Sequence, residues 1–431
     1  MSENKEFSSQ DMVKLREYLK KNLAYEIEEN PPKPDQYRQT LEKRLDSAFE
    51  KTMVNLDGSK REKLFAQVID DLVGYGPIQP LLMDEEISEI MVNGPDLVFI
   101  EKHGELIETN IRFESENHLR RVIDRMLHPL GLRVDADHPN ADARLPDGSR
   151  VNIVIPPVAI GGSCISIRKF LSNKKTIDEI VGLGTLTSHM AEFIQACVEA
   201  RLNIIISGNT SSGKTTLLNV LADFIPDKER IVTIEDAAEI QLKQRHVVSL
   251  ETRPQSVDRA GAVSTRDLVR NVLRMRPDRI VVGEVRSGES LDMLQAMNTG
   301  HDGSMTTLHA NSPRDAISRL ETMAMMAGYD IPLKAIRQQI ASAINLIVHM
   351  ARLQDGSRKT TRITEVAGME GDVVTLTDIF EFEQTGIAED GAVEGELLAT
   401  GIRPLFTPQL EVAGFKLGGE IFGAGRNDLG G

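Results

Sequence analysis

The sequence predicts an α/β protein: a C-terminal domain built on a parallel-rich sheet, preceded by an α+β N-terminal domain and a helical N-terminal extension. Three observations predict it. Beyond residue 179, strands that are apolar on both faces alternate with helical stretches, the pattern of a parallel sheet covered on both sides. Residues 74–170 hold short strand-like runs punctuated by Gly94-Pro95, Asp147-Gly148 and Gly161-Gly162, with one helix among them. Residues 1–73 read as mostly helical. The expected boundaries are an extension over 1–73, the α+β domain over 74–170, a linker over 171–178, the α/β domain over 179–410 and a flexible tail over 411–431.

In the extension, Leu41, Leu45, Phe49 and Met53 fall four apart and predict one face of a helix. The proline-rich stretch 30–34 interrupts it as an extended linker. In the α+β domain the strands are expected at 89–92, 97–100, 151–155 and 164–167, and the helix near 114–130. Polar residues 171–175 read as a linker. The apolar strands of the α/β domain are expected at 203–206, 231–234, 280–282 and 305–308. One helix start is well marked, with Ser312 as N-cap, Pro313 at the first position, Asp315 closing a capping box and Gly328 as the stop. Met323, Met325 and Met326 read as core filler. Strands follow around 373–382, and the Gly-rich end 418–431 is expected to be mobile.

Composition narrows the function. The 431 residues are 40% apolar and 27% charged, which is ordinary globular usage. Cys164 and Cys197 are the only cysteines, which excludes a disulfide scaffold or a Cys₄ zinc module and fits a reducing cytoplasm. The first ten residues are polar, with no signal-peptide core, and no run of ~18 apolar residues predicts a membrane span. The formal net charge is −15, and the stretch from Gln354 onward carries 14 acidic against 6 basic residues. Such a chain has no general reason to bind nucleic acid. A soluble, cytoplasmic protein is expected.

The chemistry begins at Gly208-Asn209-Thr210-Ser211-Ser212-Gly213-Lys214-Thr215, a G-x-x-x-x-G-K-[ST] pattern that follows an apolar strand and opens a helix. Backbone N–H groups around such a loop wrap a β-phosphate, and the helix N-terminus adds its positive end. Lys214 reaches the β and γ oxygens, Thr215 offers a hydroxyl to Mg²⁺, and Thr216 continues the first helical turn. ATP and Mg²⁺ are the expected ligands. Hydrolysis also needs a group to polarise water and a carboxylate in the Mg²⁺ shell, and in a parallel sheet these belong at the C-terminal ends of neighbouring strands. Glu235 and Glu284 both follow apolar strands there, and either of them polarises the water. Asp236 and Glu239 are weaker candidates. His309 ends the strand 305–308 and reads equally as a γ-phosphate sensor or a packing residue; His301 is the weaker histidine.

Four segments carry a wider resemblance: 208–216, 231–242, 274–289 (RMRPDRIVVGEVRSGE) and 300–321 (GHDGSMTTLHANSPRDAISRLE). They resemble the Walker A, Asp box, Walker B and His box of the secretion ATPase superfamily. Residues 74–95 are similar to the N-terminal domain of its CpaF/TadA-type branch, the ATPases of tight-adherence (Flp) pili. The resemblance spans about 60 to 410. It implies a RecA-like ATPase domain in a homo-hexameric ring, cytoplasmic and peripheral at the inner membrane, driving inner-membrane pilus platform proteins. It implies Glu235 as general base, Glu284 as the Walker B acid and Mg²⁺ ligand, and His309 as the His-box histidine. It also implies phosphate-directed arginines from the N-terminal domain, matched by Arg150 and Arg168, with Arg144 a third candidate. The cysteine count excludes the branch with a tetracysteine zinc insertion. A type IV secretion traffic ATPase shares all four boxes and is the nearer alternative; a nucleic-acid motor on the same core is the more distant one.

Overall fold

The computed structural model describes residues 9–30, 37–102, 104–170, 175–253, 261–389 and 391–423. The chain divides into two compact units, Met1–Leu171 and Ser172–Gly431. Most of the linker expected at 30–34, and 171–174 of the second, lie outside the described residues.

The first unit opens with three helices, α1 (Ser9–Glu29), α2 (Tyr37–Glu50) and α3 (Gly58–Leu72). Leu15, Leu19 and Leu23 of α1 bury against Leu41, Leu45 and Phe49 of α2 and Leu64, Phe65 and Val68 of α3. The four-residue spacing holds as far as Phe49. Met53 breaks it: it lies beyond the end of α2 at φ +54 and is 96% exposed. Periodicity marks a face but not where the helix stops.

After α4 (Gln79–Met83), the strands β1 (Ile87–Asn93), β2 (Val98–Lys102), β3 (Glu105–Glu108), β4 (Asn140–Arg144), β5 (Arg150–Val154) and β6 (Cys164–Arg168) form, among the described residues, a six-stranded antiparallel sheet in the order β3-β2-β1-β6-β5-β4. The helix α5 (Glu116–Leu127), capped by Ser115, buries Leu119, Val122, Ile123, Met126 and Leu127 against it. The sequence is silent on β3 and β4. β3 is exposed along its whole length, and β4 (NADAR) has no β-branched or aromatic residue to signal it.

The second unit carries α6 (Ile177–Gly182), α7 (Ser188–Glu199), β7 (Ile204–Gly208), α8 (Lys214–Ala222), β8 (Ile231–Glu235), β9 (Val247–Glu251) and α9 (Thr265–Val272). Then come β10 (Arg279–Val282), α10 (Glu289–Asn298), β11 (Met305–His309), α11 (Pro313–Met325), α12 (Leu333–Ala343), β12 (Leu346–Arg352), β13 (Arg358–Glu370), β14 (Val373–Ile387), β15 (Val393–Ala399) and α13 (Thr407–Val412). Its nine described strands run β15-β14-β13-β12-β7-β11-β10-β8-β9. From β12 to β9 neighbours are parallel; from β12 to β15 they are antiparallel. The fold class is therefore α/β with a mixed sheet, parallel in its centre. Strand residues alternate between two cores. Ile204, Ile206, Val348 and Met350 pack towards α7 and α8, while Ile205, Ile347 and Leu308 pack towards α10, α11 and α12.

Three expectations are corrected here. Ser312 caps α11 by accepting the Asp315 N–H at 3.0 Å, but the Asp315 carboxylate answers to the N–H of Asn311 at 2.8 Å, one residue earlier than a capping box requires. Met323 is buried, yet Met325 and Met326 are exposed because the end of α11 turns them outward. The described part of the tail does not stand free of the domain: Leu417, Ile421 and Phe422 are buried, and the Phe422 ring meets Phe193 edge-on at 5.8 Å.

One polar pair sits inside this apolar sheet. On β12, His349 is in register with Ser207 of β7, and the Ser207 Oγ lies 2.8 Å from His349 Nδ1, both buried. Burial pushes the His349 pKa down to about 4. In the unfolded chain the ring protonates near 6.5, so as pH falls from 6.5 towards 4 the unfolded state takes up a proton that the folded state refuses. Stability from this group is intact above pH 6.5 and falls by about 3 kcal/mol on reaching pH 4. In denaturant melts across that range, wild type is expected to lose stability relative to His349→Asn as pH falls. A stability difference independent of pH would contradict the assignment.

Candidate nucleotide-phosphate site

The loop 208–216 leaves the C-terminal end of β7, whose two neighbours, β11 and β12, lie on opposite sides of it. Gly208 is required where it stands. Its φ is +152°, and a Cβ there would come within 2.2 Å of the Met350 carbonyl oxygen on β12. Ser211 sits at φ +59, and Gly213, at φ +95, precedes α8 without any side-chain cap. The first N–H groups of α8 are thus uncapped by side chains and face the concavity, as an anion-binding helix end needs. Asn209, Thr210, Ser211 and Thr216 are exposed, Ser212 and Lys214 are buried, and Thr215 is half-buried in the first turn.

A line of charged side chains runs from the loop across the strand ends. Lys214 Nζ donates to the Asn209 carbonyl at 2.9 Å and lies 3.4 Å from His309 Nδ1. An ammonium only donates, so Nδ1 accepts and Nε2 carries the proton, 3.0 Å from Glu284 Oε1. Burial and then the Lys214 charge push the His309 pKa below its ordinary value, with Glu284 pulling the other way. Glu284 Oε2 meets Arg286 Nη2 at 2.7 Å, and Arg286 Nη1 is 3.4 Å from Asp236. Thr210, Glu284, Arg286, His309 and Arg319 line a cleft of about 460 Å³.

Glu235, buried at the end of β8, accepts the N–H groups of Glu239 and Ile240 at 2.9 and 3.0 Å through Oε1. Glycine precedes Glu284 for a spatial reason: a Cβ at Gly283 would stand 3.0 Å from Glu235 Cγ. The Gly-Glu ending of β10 therefore lets the two carboxylates lie on adjacent strands. Asp236 is exposed and also accepts from Thr265 Oγ1 at 3.2 Å. His301 is not brought to this cleft; it precedes β11 and so lies at the end of that strand opposite His309.

Arg150 and Arg168 belong to the first unit, where they are direct cross-strand partners on β5 and β6. Arg144 is opposite Arg150 on β4, so the three form one row on one face of that sheet. Arg168 Nε lies 3.9 Å from Glu89, and Arg144 donates to the Gly148 carbonyl and covers the Phe170 ring.

Three arginines, two lining the cleft and one on the loop, were not singled out by the motifs. Arg286 and Arg319 stand within the boxes, but their type alone does not separate them from solvated surface cations. Arg358 is 147 residues from the loop, yet its Nε donates to the Ser211 carbonyl at 2.9 Å, because β13 follows β12 in the sheet. Among the described residues no three His, Cys, Asp or Glu side chains form a metal cluster. Mg²⁺ binds through one or two protein groups plus substrate phosphates, and the Thr215 hydroxyl and the Glu284 carboxylate are donors of that kind. Nor is any described helix long and apolar enough to cross a membrane.

Residues 71–388 match the family described as "Type II/IV secretion system protein". A Mycobacterium tuberculosis protein provisionally named for conjugal transfer is 36% identical over 334 residues, which cover 76% of this chain and 94% of that one. Conjugal transfer protein TrbB of Rhizobium radiobacter is 36% identical, covering 67% of this chain and 86% of its own. The solved structure of the pilus retraction motor PilT with bound ADP aligns with a TM-score of 0.50 at 21% identity, over 65% of this chain and 79% of that one, a likeness of fold. With a family match over well more than half its length, this chain belongs to the type II/IV secretion system protein family.

Proposed function

We propose that the chain is a Mg²⁺-dependent ATPase that works as a homo-hexameric ring at the cytoplasmic face of the inner membrane and powers a secretion or pilus machine through membrane partner proteins. The observation that carries this reading is the alignment of Lys214, His309 and Glu284 beside an uncapped helix start and a glycine loop. In this reading the 208–216 loop holds the triphosphate of ATP. Mg²⁺ bound beside it would supply positive charge against the triphosphate. Glu235 takes the proton of the attacking water, Glu284 and Thr215 would hold Mg²⁺, and neutral His309 reports the γ-phosphate to Glu284. The role implied for Arg150 and Arg168, charge on the transferring phosphoryl group, is carried as part of the same proposal.

The test is phosphate release from purified protein given ATP with Mg²⁺ or with EDTA, alongside its native mass. Mg²⁺-dependent release by a hexamer is expected; assembled protein that releases none overturns the reading. For the machine, the similarity of 74–95 to tight-adherence ATPases supports pilus assembly. The relatives named for conjugal transfer and type IV secretion, such as PtlH of Bordetella pertussis at 31% identity, support a traffic ATPase equally. Deleting the gene in its host separates them, by loss of surface pili or by loss of conjugation or export.

Arg358 gives a quantitative check on the loop. Its single charge-assisted bond to Ser211 is worth about 1 kcal/mol, so Arg358→Ala is expected to weaken nucleotide binding about fivefold. Titration with a fluorescent ATP analogue reads this, and unchanged affinity would remove Arg358 from the site.

A further inference from the structure

We propose that His349 is a positioning residue for the nucleotide site, holding the strand that feeds the phosphate loop to the segment that follows His309. This deepens the ATPase reading and rests on it. His349 stands beside Ser207, the last residue before the loop's first glycine, and Ser207 Oγ lies 2.8 Å from its Nδ1. The backbone of Asn311, two residues past His309, faces the same ring and draws its pKa back up. A backbone group that raises the pKa is an acceptor facing the ring N–H, which favours a proton on Nε2, an accepting Nδ1 and a donating Ser207 hydroxyl. That tautomer makes one directional bond to β7 and presents its N–H to the turn after β11.

That turn has few other ties. Ala310 N donates to the Gly208 carbonyl at 3.4 Å, and Asn311 N to the Asp315 carboxylate at 2.8 Å. His309, which must keep Nδ1 facing Lys214 and Nε2 facing Glu284, is therefore aimed in part by a histidine 40 residues further along the chain. Packing offers no reason for the pair. Ile205 and Ile347, on the same face of the same two strands, are buried with apolar neighbours, and an apolar pair at 207 and 349 would avoid desolvating a hydroxyl and an imidazole. Direction is what the polar pair adds.

The test is a double-mutant cycle in ATP turnover. His349→Leu and Ser207→Ala are each made in wild type and in His309→Ala, and kcat, KM for ATP and the melting temperature are measured. Each is expected to lower kcat about tenfold or more in the wild type, with KM and melting temperature near unchanged. In the His309→Ala background the same changes are expected to lower kcat less than about twofold, because the group they aim is gone. Full tenfold losses in both backgrounds, or an unchanged kcat in the wild type, would overturn the proposal. If His349→Leu does not fold, Ser207→Ala alone decides, since it removes one bond and little volume. Wild-type protein without phosphate release takes down the ATPase reading and this one together; additive losses in an active enzyme take down this one alone.

Discussion

Glu235→Gln is expected to lower steady-state ATP turnover by about 10²-fold or more while leaving ATP binding within about threefold of wild type. The glutamine is nearly isosteric and can still accept the N–H groups of Glu239 and Ile240 that now reach Oε1 at 2.9 and 3.0 Å. Local geometry is preserved and only the negative charge and the proton-accepting capacity are lost. Glu284→Gln is the informative contrast. Glu284 touches His309 at 3.0 Å and Arg286 at 2.7 Å, so its loss disturbs the charged line and the Mg²⁺ shell at once, raising the Mg²⁺ concentration needed for half-maximal rate. Single-turnover phosphate release at saturating ATP, repeated across Mg²⁺ concentrations, separates the two. Turnover of Glu235→Gln within threefold of wild type would remove Glu235 from the reaction and shift the base to Glu284.

The phosphate loop and the strand-end acids were legible because they are local. Eight consecutive residues hold the loop, and an apolar run immediately before Glu235 or Glu284 declares its position at a strand end. His349 and Arg358 carry no such signal. Their partners in the loop region lie 142 and 147 residues away, and only the placement of β12 beside β7 brings them there. A histidine inside the run LIVHMAR reads as an interruption of a strand, not as a contact with Ser207. Likewise the antiparallel ribbon β13 to β15 was legible only where β14 is rich in Val, Thr and Phe, because β15 (VEGELLA) carries two glutamates and a glycine. Gly283 shows the reverse case. In the sequence it only separates Glu284 from its apolar run, and the structure gives it a reason in the crowding of Glu235 Cγ.

Glu229→Leu is expected to destabilise the second unit by about 3–5 kcal/mol, whereas the double substitution Glu229→Leu with Arg279→Met recovers most of that loss. Arg279 begins β10 and its side chain is wholly buried; its Nε meets Glu229 Oε2 at 2.5 Å and its Nη1 donates to the Gly303 carbonyl at 3.2 Å. Gly303 has no room for a side chain, since a Cβ would stand 2.0 Å from that same Nη1. Burial pushes the Arg279 pKa down, with Glu229 pulling it part of the way back, but the guanidinium does not give up its proton. Without Glu229 the charge is trapped in the core with a single carbonyl for company. Arg201, 3.1 Å from Glu229 Oε1, is the pair's other cation, but it is 42% exposed and water screens its loss of the carboxylate. Denaturant melts of the two single variants and the double variant give the coupling directly. A single-variant loss below about 1 kcal/mol would show that water reaches Arg279. Turnover per folded molecule is expected to survive in the double variant, because backbone pairing holds β10, the strand before Glu284, against β8 from Arg279 to Val282 and against β11 at Val281 and Val282.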